Sequence, residues 1–313
     1  MNYRRWIVGL ALCLAPITAL PHRGPVDSGR DAAIRSVFVA PVSTPSTSAS
    51  KADDLWTCWY EGAPVHRLPL PAPETVSRTA QAGQVFAAET VEVSPFGIEW
   101  IRLICQTTGD RLWVPLVYCR RVAPENAATG DLPIGRERLG PYDGLPADYR
   151  PTDLVPLSAD YRYNDEPQML RAEAADACVR MLDAARQEAG LTIRVLSAYR
   201  SSRTQAYLCR QKIESAGIEQ RLVARPGHSE HQLGTTVDLV GEEGLHLLNE
   251  DFGSTPEGRW LRINCHRFGF VQSYSRQRVR QEANPYEPWH FRYVGRANVD
   301  GFSTSKEMMN YEW

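Results

Sequence analysis

Three side chains in the C-terminal half could hold one divalent cation: His231, Asp238 and His290. Two neutral imidazoles and one carboxylate are a donor set suited to zinc, and they leave the fourth position of a tetrahedral ion open for water, as hydrolytic sites require. His231 and Asp238 stand seven residues apart in PGHSEHQLGTTVD, with Gly234 between them to let the chain turn, so both can converge on one centre. His290 lies in YEPWHF beside Glu287. A carboxylate next to such an ion can take a proton from water and later pass it to a leaving amine. Three ligands are already supplied, so Glu287 suits the role of general base better than ligation.

The elements around these residues follow from their periodicity. In WHFRYV, Trp289, Phe291 and Tyr293 point to one side as an aromatic core face, and His290 and Arg292 point to the other. Pro288 denies a ladder partner and bends the chain, which lets Glu287 swing over the metal. In TTVDLV, Thr236, Asp238 and Val240 share one face, and Val237 and Leu239 enter the core from the other. Leu170, Ala174, Ala177, Met181 and Ala185 recur at helical spacing, with Gly190 as the stop. LTIRVLSAY reads as a strand. Ser202 is placed to cap a second helix ending at Gly217, and Ser254 to Glu257 open a third that runs to Phe268. GFVQSY supplies another strand. Helices and strands mix without regular βαβ alternation, which favours an α+β class.

Three segments, SAYRSSRTQ (197–205), PGHSEHQLGTTVD (226–238) and EPWHFRYVG (287–295), resemble the signatures of the VanY-type D-alanyl-D-alanine carboxypeptidases. LPADYRPTDLVPL (145–157) and RWLRINCHRFGFVQSY (259–274) match the text between them. The resemblance implies an α+β zinc peptidase domain over residues 145–300, with His231, Asp238 and His290 as Zn2+ ligands and Glu287 as catalytic base. It also implies Arg200 as the group that stabilises the oxyanion, and Gln205 and Ser229 as substrate contacts. Thr236 departs from the family, which more often has a small apolar residue there. The expected reaction is hydrolysis of the terminal D-Ala of peptidoglycan stem peptides. L,D-carboxypeptidase or endopeptidase activity of the same fold, or a wall-binding protein without turnover, are the alternatives. Ser303 to Lys306 formally spell SxxK, the nucleophile signature of serine carboxypeptidases, but without SDN or KTG partners they read as chance.

Composition bounds the rest. The chain has 313 residues, 43% of them hydrophobic and 23% charged, with a formal net charge of -2. That is ordinary for a globular protein and speaks against general affinity for nucleic acid or anionic membranes; a monomer is expected. Residues 1–20 carry Arg4 and Arg5 before an apolar run, as an export signal does, an uncleaved N-terminal anchor being the rival. An exported, periplasmic or cell-surface protein follows. Residues 21–54, rich in Pro, Ser and Thr, read as a flexible tether. Residues 55–123 hold short strand-like runs (VHRLPL, QVFAAETVEV, IEWIRLICQ, LWVPLVYCRRV) broken by turn residues. With Trp100 and Trp113 they loosely resemble a bacterial SH3-like barrel, which implies wall targeting. Residues 124–144 are expected to link the two domains, and 301–313 to form a tail. Apart from Cys13, six cysteines remain: Cys58, Cys105, Cys119, Cys178, Cys209 and Cys265. An even number in an oxidising compartment suggests disulfides, and the pairing stays open.

Overall fold

The structure is a computed structural model that describes residues 55–95, 97–105, 108–122, 131–135, 139, 144–276 and 285–302. The expected signal, the tether, most of the linker, the SxxK segment and most of the tail lie outside these residues. The described residues all fall within one compact unit.

The N-terminal part is a seven-stranded antiparallel sheet: β1 (Leu55–Cys58), β2 (Ala63–His66), β3 (Val76–Ala80), β4 (Val85–Val93), β5 (Glu99–Ile104), β6 (Arg111–Pro115) and β7 (Cys119–Arg121). Their spatial order is β3-β2-β6-β5-β4-β1-β7. Five of these strands coincide with the four apolar runs of the sequence, β6 and β7 sharing the last. β1 and β3 were hidden, because β1 is only four residues long and β3 presents mostly exposed polar positions. Trp56, Phe86, Ile101, Leu103, Val114 and Leu116 fill the interior of this sheet.

That interior is not closed by the sheet alone. Cys209 and Ile213 belong to the same apolar cluster, and they lie on a helix of the C-terminal half. Arg225 stacks over the Trp56 ring at 5.7 Å, and Arg221 Nη2 donates to Gly97 O at 2.7 Å. The expected boundary between the two halves is thus crossed by a shared core.

The C-terminal part begins with the pair β8 (Leu154–Pro156) and β9 (Met169–Arg171). Helix α1 (Ala172–Ala189) follows and ends at Gly190, whose φ of 67° is open to glycine at little cost. Ala174, Ala177, Cys178, Met181 and Ala185 all face inward, as their spacing requires. β10 (Ile193–Ser197) leads to α2 (Ser202–Ala216). The cap of α2 is Ser201, one residue earlier than expected, and its hydroxyl accepts from Thr204 N–H at 3.2 Å. β11 (Thr236–Gly241), α3 (Pro256–Asn264, capped by Thr255), β12 (Phe270–Gln272) and β13 (His290–Tyr293) complete the domain. The third helix is regular only to Asn264; a 3-10 turn, Cys265–Phe268, replaces its expected last turn. The four strands form an antiparallel sheet in the order β10-β11-β13-β12. One face of this sheet packs Val237, Leu239, Phe291 and Tyr293 against α1 and α3. The other face carries the polar constellation.

Candidate metal centre

β11 and β13 are neighbours, and their register sets Asp238 opposite His290. Directly paired residues of an antiparallel sheet project to the same face, so the two donors meet without any special loop. His231 reaches them from a 3-10 turn, Glu230–Leu233. Gly234 ends that turn with φ 72°, and a Cβ there would approach Leu154 Cδ2 to 2.9 Å. The left-handed conformation favours glycine at this point, and the side chains around it leave little room for more.

One ligand atom from each of His231, Asp238 and His290 lies within 4.8 Å of the others, and all three residues are buried. His231 Nε2 stands 3.2 Å from Asp238 Oδ2, and His290 Nδ1 stands 3.2 Å from Asp238 Oδ1. These separations are close to about 3.4 Å, the edge of a tetrahedron whose bonds are about 2.1 Å. His231 Nε2 and Asp238 Oδ1 nevertheless have no hydrogen-bond partner. Buried polar atoms that converge without bonding one another fit a cation between them.

The outer nitrogens settle which atoms are free to ligate. His231 Nδ1 donates to Ala198 O at 2.7 Å, since a carbonyl can only accept, and its Nε2 lone pair is left facing inward. His290 Nε2 donates to Glu230 Oε2 at 3.0 Å, leaving Nδ1 as the inward donor. Glu230 is itself held by Ser273 Oγ at 2.5 Å and by Arg292 Nη1 at 3.0 Å. Such outer partners fix ring orientation at metal sites. Sequence reasoning missed Glu230. Its position beside His231 hinted at the site, but its partner is the histidine sixty residues later.

Charge at the site is strongly polarised. Burial alone would raise the Asp238 and Glu230 carboxyls, yet the facing imidazoles, with Arg292 beside Glu230, hold both well below the usual carboxylate range. Burial pushes His231 down to about 4, and the Arg200 cation adds to this. His290 goes the other way: burial is outweighed by the Asp238 and Glu230 carboxylates that face its two ring nitrogens, and it rises to about 10. The anionic surroundings thus favour positive charge at this spot, a preference that a divalent cation satisfies. Glu287 is lifted by burial, against the pull of His290, to about 7. Its Oε2 is 3.5 Å from His290 Nδ1.

The remaining expected residues are placed as follows. β10 carries a bulge between Val195 and Ser197, and the chain then leaves the strand through Ala198 to Arg200. Arg200 N–H donates to His231 O at 3.1 Å, and its Nη2 lies 3.9 Å from Asp238 Oδ2. Its guanidinium therefore borders the donor cluster. Gln205, on the first turn of α2, is buried; its Nε2 donates to Ala224 O at 2.6 Å and its Oε1 has no partner. Ser229 is buried directly before the turn that carries His231. Thr236 Oγ1 is buried without a partner on the same strand as Asp238. Tyr274, not singled out in the sequence, packs its ring 4.8 Å from that of His290.

Comparison with known proteins places this geometry in context. The family model for VanY, D-alanyl-D-alanine carboxypeptidase, matches residues 167–296, which include His231, Asp238, Glu287, His290 and Arg200. YodJ of Bacillus subtilis (strain 168), provisionally named a carboxypeptidase, is 37% identical over 156 residues, 49% of this chain and 57% of that protein. The chain thus spans little more than half the length of that relative. The bifunctional D-Ala-D-Ala dipeptidase and carboxypeptidase VanXYC of Enterococcus gallinarum is 30% identical over 137 residues, 42% of this chain and 71% of that protein. Among solved structures, a D,D-pentapeptidase VanY from a VanB-type resistance cassette, in complex with Zn(II), is 27% identical with a TM-score of 0.43. It covers 57% of this chain and 98% of its own. Through its match to the family model and to relatives such as VanXYC, the chain belongs to the VanY family of D-alanyl-D-alanine carboxypeptidases.

Proposed function

We propose that this chain is a zinc-dependent D,D-carboxypeptidase that removes the terminal D-Ala of peptidoglycan stem peptides. The observation that carries the proposal is the buried convergence of His231, Asp238 and His290, with Glu287 alongside and held near neutrality. His231 through Nε2, Asp238 through its carboxylate and His290 through Nδ1 would hold Zn2+. When bound, zinc supplies Lewis acidity, polarising a carbonyl and bringing the pKa of water down to about 7.

The protein groups divide the remaining work. Glu287 takes the proton of the attacking water and returns it to the leaving D-Ala nitrogen; a carboxylate titrating near 7 can do both at neutral pH. The Arg200 guanidinium opposes the negative charge that develops on the carbonyl oxygen. Gln205 and Ser229 contact the substrate. Ala198 O and Glu230 hold the two imidazoles in the tautomers that ligation needs.

The organisation around the peptidase domain belongs to the same reading. The chain is exported to act on the wall, with residues 1–20 as signal or anchor, 21–54 as tether and the peptidase as a monomer. The N-terminal sheet is an SH3-like barrel that engages wall peptides, a reading supported by its short antiparallel strands around buried Trp56 and Trp100. Among the described residues no helix is long and apolar enough to cross a membrane.

The test is incubation of the full chain with a stem pentapeptide ending in D-Ala-D-Ala. Release of one D-Ala, abolished by chelator, restored by zinc and indifferent to β-lactams, is the expected result. No release from zinc-loaded protein would remove the proposal. Cleavage confined to a tetrapeptide, or loss of a larger fragment, would replace it by the L,D or endopeptidase alternative.

A further inference from the structure

Two buried thiols face each other across the N-terminal sheet. Cys58 of β1 pairs with Cys119 of β7, each is 0% exposed, and their sulfurs are 3.8 Å apart. The ladder around them shows what kind of pair this is. Trp59 N–H donates to Tyr118 O at 3.0 Å, and Val122 N–H donates to Leu55 O at 2.7 Å. Hydrogen-bonded pairs alternate along an antiparallel ladder, so Cys58 and Cys119 occupy a non-hydrogen-bonded position between them. In agreement, the Cys58 backbone turns to the other side: its N–H donates to Gln84 O at 3.2 Å and its carbonyl accepts from Gly83 N–H at 2.8 Å.

At such positions the Cα atoms are about 4.5 Å apart, inside the range of roughly 4.4–6.8 Å that disulfides span. Side-chain rotation alone can then bring the sulfurs together without moving either strand. Cys209 shares the apolar cluster, but its sulfur is engaged elsewhere, with Val223 O at 3.8 Å and Gln220 Nε2 at 3.7 Å.

We infer that Cys58 and Cys119 are joined by a structural disulfide in the mature protein, fastening the first strand of the sheet to the last. The inference rests on the export reading above for its oxidising surroundings. The bond forms by exchange with a disulfide donor such as an oxidised dithiol protein. Each cysteine gives up its proton, one sulfur–sulfur bond forms between them, and the donor's own bond takes up two electrons and two protons to become two thiols. Burial pushes the Cys119 thiol well up, so exchange belongs to folding, before the sheet closes over it.

The test uses the full chain, unfolded under reducing conditions and refolded in a mixture of oxidised and reduced glutathione. Remaining thiols are then alkylated in denaturant and the unreduced digest is weighed. The expected result is a peptide pair joined through Cys58 and Cys119, lighter by two hydrogens, with loss of alkylation at both. Cys58→Ser should restore alkylation at Cys119. Full alkylation of both cysteines after refolding, or Cys119 joined to Cys209 instead, would overturn the pairing. The same mapping on the chain expressed in an exporting cell, alongside fractionation, reads the export separately. Chain found only in the cytoplasm sinks the export reading, whereas exported chain with both thiols free sinks the disulfide.

Discussion

Replacing Glu287 by glutamine should separate what this residue costs the fold from what it gives the reaction. Its carboxyl ordinarily titrates at 4.5 and is lifted to about 7 in the folded chain, chiefly by burial. A raised carboxyl favours folding while it is protonated. The benefit is complete below about pH 4.5 and is lost as the pH rises to about 7. From 4.5 to about 7, that loss is about 3 kcal/mol. Glutamine stays neutral throughout and so escapes it. In excess chelator, Glu287→Gln and the parent should therefore be similarly stable at pH 4.5, while the variant gains about 3 kcal/mol at pH 8. Urea unfolding at the two pH values, followed by intrinsic tryptophan fluorescence, measures the difference. In the zinc-loaded protein the same change should lower kcat roughly 10²–10⁴-fold, with metal content intact. A stability difference between variant and parent that is the same at both pH values would refute the burial argument. Undiminished turnover would remove Glu287 from the chemistry.

Three further outcomes are expected. Arg200→Ala should lower kcat/KM for the stem pentapeptide roughly 10²–10³-fold while zinc stoichiometry, read by elemental analysis, stays that of the parent. Glu230→Ala leaves His290 Nε2 without its acceptor and should weaken zinc binding about 10–100-fold in competition with a chromophoric chelator. An unchanged affinity would mean that the His290 ring is oriented by its strand alone. Ile213→Ala opens the apolar cluster under the N-terminal sheet and should cost about 2–4 kcal/mol in denaturant unfolding.

The sequence was most legible where local chemistry and tertiary use coincide. Alternation in WHFRYV separates Trp289, Phe291 and Tyr293 from His290 and Arg292, and the sheet buries the first three in its core as that pattern requires. Gly190 ends α1 because the left-handed turn it permits is a property of the residue alone. Glu230 was illegible for the opposite reason. Nothing next to it in sequence shows that it serves His290, and only the approach of the 3-10 turn to β13 brings the two together. β3 escaped notice because its outward positions are exposed and polar, so little apolar alternation marks it. The shift of the α2 cap from Ser202 to Ser201 is a choice between adjacent serines that composition cannot make.

Helix α2 has an unusual pair of obligations: near its start Gln205 is tied to the carbonyl of Ala224, and further along it plugs the N-terminal sheet with Cys209 and Ile213. A peptidase trimmed back to residue 145 would leave those two side chains bare to solvent, an adhesive stripe on an otherwise polar helix. Anyone grafting the enzyme onto a different partner domain should carry the sheet along with it, for it covers part of the enzyme's own interior.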